Sequence, residues 1–446
     1  MKRWPLYLIA IILLAAVPQI LIDSPVYART VSIAGICLFV WLAEIAPPFI
    51  PTLILWAAVP ILLLPLDARY SLGQVLSWSA DPVLALFFGG FVLGVATERQ
   101  GLDRQLARFA FRASGGSFNF FLLVMIFITA FLSMWLSNIA AAALVFACVR
   151  PSLARLSDDN ALRRIVIVGI ALGADLGGIA TPIGTGPNAI AIASLEGTYR
   201  ITFVNWMAFA FPLTVGMLLF AFGLLWVSSR KHQRKWDASG ILPLETVEVE
   251  RPNHRTEFVL IFTATALLWL TEPLHRIPAA VVAIVAAATV FVRGILSKKD
   301  LSRVDWSTIL LIAGGITLGR LLEATGIVSA IASAVPFSSF DPRVTLFVLC
   351  LASAILSALM SNTATAVMLI PLAAAIMPDP STAILIAISA SFGLPFVIST
   401  PPNAMAFGEG GVRSSDFFWP GVIIMITGCA AVSLTGRAVL NLAGIP

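Results

Sequence analysis

The sequence predicts an all-α polytopic membrane protein with about eleven transmembrane helices and two re-entrant helical hairpins, arranged as two inverted repeats. Three observations carry this: the composition, the recurrence of apolar runs of spanning length, and an ordered set of polar breaks that occurs twice. Of 446 residues, 59% are hydrophobic and 11% charged, against roughly 25% charged in a soluble domain, and mean hydropathy is +0.96. Such a chain has too few polar groups to dress a water-soluble surface.

A helix of about 20 apolar residues crosses the hydrocarbon core of a bilayer, and runs of that kind place spans near 5–22, 30–46, 49–66, 81–98, 165–192, 203–227, 257–273, 278–296, 306–323, 382–407 and 417–440. The first follows Lys2 and Arg3 but lacks a convincing small-residue cleavage site, so it is read as a retained helix rather than a signal peptide. Between the spans lie 118–152 and 342–378, each apolar but broken in the middle by "WLSNIA" or "LMSNTATA". A continuous helix of about 33 residues would be near 50 Å long, well beyond a core of roughly 30 Å. Each is therefore read as a helix, a turn and a helix that enter and leave on one side. Residues 228–256 hold nearly all of the remaining polar sequence and form a linker between halves.

Charge gives the orientation. With the N-terminus inside, 21 of the 28 Lys and Arg fall on the cytoplasmic side, among them Arg99, Arg104, Arg108 and Arg112, and Arg150, Arg155, Arg163 and Arg164, as the positive-inside rule expects. The C-terminus is then periplasmic or extracellular. The pI near 9.3 is thus a consequence of topology and not a sign of nucleic-acid binding. Cys37, Cys148, Cys350 and Cys429 sit singly in apolar runs without CxxC spacing or clustered histidine, which argues against disulfides and metal centres. No cofactor is implied. His232, His254 and His275 lie in loops or at span ends.

The repeat is the most informative feature. "FFGGFVLGVATERQGL" from Phe87 aligns with "IAGGITLGRLLEATGI" from Ile312, matching Gly89, Gly90, Gly94, Glu98 and Gly101 with Gly314, Gly315, Gly319, Glu323 and Gly326. Ser133, Ser137 and Asn138 then match Ser357, Ser361 and Asn362, and "GTGPNAIAI" from Gly184 matches "STPPNAMAF" from Ser399. The order is the same both times: glycine-rich span, hairpin with Ser-Asn at its tip, span broken at Pro-Asn. Inverted repeats with discontinuous helices mark secondary transporters that bind their cargo near the midplane.

Irregular backbone is tolerated in a membrane only where protein or a water-filled cavity satisfies it. At each hairpin tip the free amides of a helix N-terminus carry about half a positive charge and receive an anion without a buried arginine. Side-chain donors from Asn138, Asn362, Thr363, Thr185 and Thr400 complete a neutral cradle for a carboxylate. Sodium needs oxygen ligands, and the repeated Ser-x-x-x-Ser-Asn sets two hydroxyls on one helical face beside an amide.

On these residues the sequence resembles the divalent anion:sodium symporter family, of the bacterial dicarboxylate transporter type, whose hallmark is a Ser-Asn-Thr motif in each repeat followed by Thr-Pro-Pro-Asn-like turns. The likeness covers almost the whole chain. It implies one sodium site from Ser133, Ser137, Asn138 and the Gly184 carbonyl, and a symmetry-related one from Ser357, the Met360 carbonyl, Asn362 and Ser399. It implies substrate carboxylates held by Ser137, Asn138, Ser361, Asn362, Thr363, Thr400 and Pro401, with Thr185 and Ile139 at the equivalent places of the first repeat. It further implies a homodimer with an elevator mechanism, divided into scaffold parts at 1–113 and 257–341 and transport parts at 114–227 and 342–446. The hairpins 118–152 and 342–378 and the broken helices 165–192 and 382–407 belong to the transport parts.

Three departures from the family pattern stand out: Ile139 has no hydroxyl where Thr363 has one, Gly186 replaces a proline, and Asp175 puts a carboxylate deep inside its span. An intramembrane carboxylate is a functional hypothesis by default, and Asp175 is held open between ion coupling and a structural role. Single Ser and Asn residues in membrane helices often serve only as interhelical hydrogen-bonding groups, but the repetition favours a site. The matched glycines are read as close-packing positions. Glu98 and Glu323 are placed at span ends, and Arg320 is expected to pair with a nearby carboxylate.

The expected function is sodium-coupled symport of small di- or tricarboxylates such as succinate, malate, fumarate or citrate, by alternating access in a bacterial inner membrane. A cation-independent carboxylate exchanger, or a carrier of sulfate or another divalent anion on the same fold, is the alternative. A membrane-embedded enzyme would need a catalytic constellation such as a histidine–acid pair, for which the three histidines are badly placed.

Overall fold

The computed structural model describes residues 4–43, 45–101, 117–153, 160–196, 199–230, 254–327, 330 and 341–444. Most of the linker 228–256, together with Lys2, Arg3, Arg104, Arg108, Arg112, Arg155 and His232, lies outside the described residues. Every regular element among those described is helical.

The first half contains α1 (Trp4–Leu21), α2 (Pro25–Ala43), α3 (Ile50–Leu63), a short α4 (Leu72–Trp78) and α5 (Pro82–Arg99). A hairpin follows, made of α6 (Phe118–Ser133) and α7 (Asn138–Leu153), then α8 (Ala161–Gly177), α9 (Gly186–Leu195) and α10 (Phe203–Ser229). The second half runs through α11 (Arg255–Leu270), the single-turn α12 (Glu272–His275), α13 (Ala279–Val292) and α14 (Trp306–Ala324). Its hairpin is α15 (Pro342–Leu359) and α16 (Asn362–Ile376), followed by α17 (Pro380–Ala390), α18 (Pro401–Gly408) and α19 (Ser414–Leu442). Five of the described helices (α5, α10, α14, α15 and α19) are by themselves long and apolar enough to cross a membrane, and eight shorter apolar helices accompany them.

The breaks fall where the sequence puts helix-ending residues. Helix α8 runs out at Gly177 into a 3-10 turn over Gly178–Ala180, and the chain resumes at α9 with Pro187 in its first turn. Helix α17 ends at Ala390, and α18 restarts at Pro401 and Pro402. Proline suits the first turn, where its missing N–H is no loss. Helices α5 and α14 are capped in kind: Asp81 accepts from the Val83 N–H, and Asp305 from the Thr308 N–H.

Packing is reciprocal between the halves. Helix α9 packs on α16 and α17 of the other half, while α18 packs on α7 and α8. Each broken helix thus lends its second part to the opposite repeat. Helices α5 and α13 form another close pair, and Gly89 explains its tightness: a Cβ there would lie 2.5 Å from the Ala283 carbonyl oxygen. Gly89 is a packing glycine, as the sequence suggested. Arg320 pairs with Glu323 at 3.4 Å, and Glu98 meets Arg303 at 2.7 Å.

Candidate functional site

The two hairpin tips have the same internal geometry. Ser133 Oγ lies 2.7 Å from Asn138 Oδ1, and Ser357 Oγ donates to Asn362 Oδ1 at 2.6 Å. Ser137 and Ser361 each cap the helix that follows, accepting from the amides of Ala140 at 3.2 Å and Ala364 at 3.1 Å. The pattern Ser-x-x-x-Ser-Asn therefore has a local cause: the first serine orients the amide of the asparagine, and the second closes the helix start.

The breaks are braced in the same symmetric way. Asn188 Nδ2 donates to the carbonyls of Gly178 at 3.1 Å and Thr181 at 2.8 Å, and Asn403 Nδ2 to those of Leu394 and Phe396 at 3.0 Å each. Both asparagines are fully buried. They satisfy carbonyls that a continuous helix would have paired internally. Each break is also tied to its own hairpin, by Thr181 Oγ1 to the Met134 carbonyl at 2.6 Å and by Ser399 Oγ to the Ala358 carbonyl at 3.0 Å. The sequence reading placed no role on Asn188 or Asn403, although both stood in the repeated Pro-Asn.

Four helix N-termini meet at one cavity of about 270 Å³. Ser137, Asn138 and Ile139 line it from α7; Gly184, Thr185 and Gly186 from α9; Ser361, Asn362 and Thr363 from α16; and Ser399, Thr400 and Pro401 from α18. Ser133, Ser357 and Met360 are buried behind this wall. The opposite side comes from Phe87 and Phe91 of α5 and from Asp305, Ser307, Thr308 and Leu311 of α14, which the sequence reading did not anticipate. No Lys or Arg is among these lining residues. The positive potential there comes from helix N-termini, each equivalent to roughly half a charge.

Oxygen atoms gather behind the first tip. A Cβ on Gly178 would fall 2.6 Å from Asn138 Oδ1 and 2.9 Å from the Gly184 carbonyl oxygen. Any side chain there would press on both oxygens, so glycine lets them come close together. Ser133 Oγ is nearby, 2.6 Å from the Ala174 carbonyl, and the donor set is that of a hard cation such as sodium. Asp175, next in sequence and 2% exposed, lines the cavity. Its Oδ2 accepts from Thr400 Oγ1 at 2.8 Å, across the repeats. Gly186 faces the second repeat: a Cβ there would collide with Thr363 Oγ1. Glycine at this turn lets the one Ser-Asn-Thr threonine approach the opposite break.

A multi-pass helical fold with paired broken helices around a midchain cavity defines a secondary membrane transporter. The chain belongs to the citrate transporter family, CitMHS, whose profile matches residues 36–385 and 342–444. It is 30% identical to an uncharacterized transporter of Haemophilus influenzae over 97% of this chain and 96% of that protein. The resemblance drawn from the paired Ser-Asn motifs holds among its relatives. A sodium-dependent dicarboxylate transporter, SdcS, of Staphylococcus saprophyticus is 25% identical, over 86% of this chain and 82% of that protein. The inorganic phosphate transporter PHO87 of Saccharomyces cerevisiae is 26% identical over 90% of this chain, which spans 45% of the yeast protein. The fold is also similar to that of the Alcanivorax borkumensis YdaH transporter, with a TM-score of 0.55 at 14% identity, covering 89% of this chain and 98% of that one.

Proposed function

We propose that the protein is a sodium-coupled symporter of small di- or tricarboxylate anions such as succinate, malate, fumarate or citrate. The observation that carries this reading is the pair of Ser-Asn tips facing one cavity lined by four helix N-termini and no basic side chain. An anion of charge two or more needs compensation there, and helix termini supply only part of it. Sodium supplies the rest. One ion sits with Ser133, Ser137, Asn138 and the Gly184 carbonyl, the other with Ser357, Asn362, Ser399 and the Met360 carbonyl. The substrate carboxylates take donors from Ser137, Asn138, Thr185, Ser361, Asn362, Thr363 and Thr400, beside Ile139 and Pro401.

The transport parts 114–227 and 342–446 carry this site past a scaffold of 1–113 and 257–341, by alternating access of the elevator kind. The chain works as a homodimer in a bacterial inner membrane, with its N-terminus cytoplasmic and its C-terminus periplasmic. The relatives named phosphate transporters favour a second reading, in which the same cavity takes an inorganic oxyanion. Uptake of radiolabelled succinate into proteoliposomes, with and without an inward sodium gradient, tests the first reading. Sodium-driven accumulation inhibited by excess malate or citrate is expected. Uptake of phosphate or sulfate with no response to succinate would replace the substrate class, and succinate exchange indifferent to sodium would remove the coupling.

A further inference from the structure

We propose that Asp175 is a direct ligand of the co-transported cation in the first repeat, giving that site one more negative charge than its counterpart. The inference rests on the sodium-coupled reading above and goes beyond it by naming a ligand that the paired motifs do not contain. Asp175 is 2% exposed, and Thr400 occupies only its Oδ2. Oδ1 is buried without a hydrogen-bond partner and belongs to a residue of the cavity wall. The other carboxylate of that wall, Asp305, has both oxygens engaged by Thr308, at 3.0 Å from its N–H and 2.6 Å from its hydroxyl.

A buried carboxylate held only by the Thr400 hydroxyl and the Asn138 side chain is costly unless a cation meets it. The wall offers no Lys or Arg to do so. The neighbouring oxygens suit a small hard cation instead: Asn138 Oδ1 and the Gly184 carbonyl converge beside Gly178, and the Asn138 side chain hydrogen-bonds Asp175. The second repeat has Ala390 at the position matching Asp175. The two cation sites are therefore unequal. The first is the stronger and fills before the anion arrives, because an uncompensated Asp175 would repel a carboxylate entering the same cavity. Its contact with Thr400 links that ion to the opposite break.

Thermal unfolding of the purified full-length protein tests this, with sodium titrated against choline at constant ionic strength, for wild type, Asp175→Asn, Asp175→Glu and Gly178→Ala. The wild type is expected to gain stability with sodium. In Asp175→Asn the midpoint of that gain moves up roughly ten- to a hundredfold, and Asp175→Glu, which keeps the charge, retains most of the response. Gly178→Ala, whose methyl would press on Asn138 Oδ1 and the Gly184 carbonyl, raises the midpoint as Asp175→Asn does, the second site still answering to sodium. If Asp175→Asn shows no cooperative unfolding, Asp175→Ser takes its place, with the same upward shift of the midpoint expected. A wild-type sodium midpoint in the Asp175 variant that lacks the charge overturns the inference while leaving sodium coupling intact. So does an unchanged sodium midpoint in Asp175→Asn with loss of a pH dependence of uptake, which would make the carboxylate a proton carrier. A wild type indifferent to sodium removes the coupling reading, and this inference with it.

Discussion

Ile139 and Thr363 occupy equivalent positions at the two tips, and both line the cavity, but only Thr363 carries a hydroxyl. Ile139 is 47% exposed, so its side chain stands at the open surface of the site and not in a packed core. A hydrogen bond to a charged group is worth about 1.5–3 kcal/mol, or roughly ten- to a hundredfold in affinity. Replacing Ile139 by Thr should therefore strengthen succinate binding at unchanged sodium dependence, as read by calorimetric titration. Unchanged or weaker binding would mean that the missing hydroxyl does not set selectivity. Gly186→Ala should act the other way, since its methyl would run into Thr363 Oγ1. Overpacking of this kind costs about 1–3 kcal/mol, and it displaces a hydroxyl that the proposed reading gives to the substrate. Asn138→Ala and Asn362→Ala should each abolish sodium-driven uptake while leaving a folded protein, because each removes an amide that the proposed reading gives to both ion and anion; normal uptake by both would sink the site assignment.

The broken helices show which structural features can be read from sequence. Their positions were legible, because Pro-Asn and glycine interrupt apolar runs that otherwise have spanning length, and the helix bounds fall within a few residues of the expected spans. What holds the breaks together was not legible, because Asn188 reaches carbonyls seven and ten residues earlier in chain, a return that no helical or strand period describes. Removing the side chain of Asn188 or Asn403 leaves buried carbonyls without donors at about 1–3 kcal/mol for each. Asn188→Ala and Asn403→Ala should each lower the unfolding temperature and reduce uptake, whereas Asn→Asp at either place keeps the volume but not the donor and should do no better. Short polar elements also escaped the apolar pattern, among them α4 and the 3-10 turn Lys298–Arg303. In that turn Asp300 accepts from the Ser297 N–H and hydroxyl at 2.7 Å each and from Arg99 at 2.6 Å. Burial raises its pKa, but these bonds outweigh that effect and hold the carboxyl below its ordinary value. A depressed carboxylate stabilises the fold fully above its unfolded pKa and loses that contribution as pH falls through the folded value. Asp300→Asn should thus lower the melting temperature at pH 7 and remove part of its loss on acidification, measured by thermal unfolding from pH 7 downwards.

At the scale of the whole molecule, the reciprocal packing of α9 and α18 on opposite halves is what an inverted repeat produces, and the inversion itself makes a strict prediction about sidedness. Ser117 and Arg343 begin the two hairpins, and both are exposed. A hairpin that enters and leaves on one side adds no crossing. Between them the chain then crosses through α8–α9 taken together, α10, α11, α13 and α14, an odd number of passages that puts the two residues on opposite faces. Two parallel repeats would need an even number. The positive-inside rule predicts which face is which: Arg150 and Arg163 at the far end of the first hairpin would put that end in the cytoplasm. The native cysteines are a convenient background, since Cys37, Cys350 and Cys429 are buried and Cys148 is half-buried. Ser117→Cys should react with an impermeant maleimide only after the cytoplasmic face is opened to it, in inverted vesicles, and Arg343→Cys only from the periplasmic face, in intact spheroplasts. The two substitutions are mild by construction, because Ser117 makes no capping bond to its helix and the cap of α15 belongs to Asp341 and not to Arg343. Labelling of both from one face would mean that the first hairpin is a full transmembrane passage, and the symmetric cradle of Ser137, Asn138, Ser361 and Asn362 would then have to be reached by some route other than alternating access about a shared midplane.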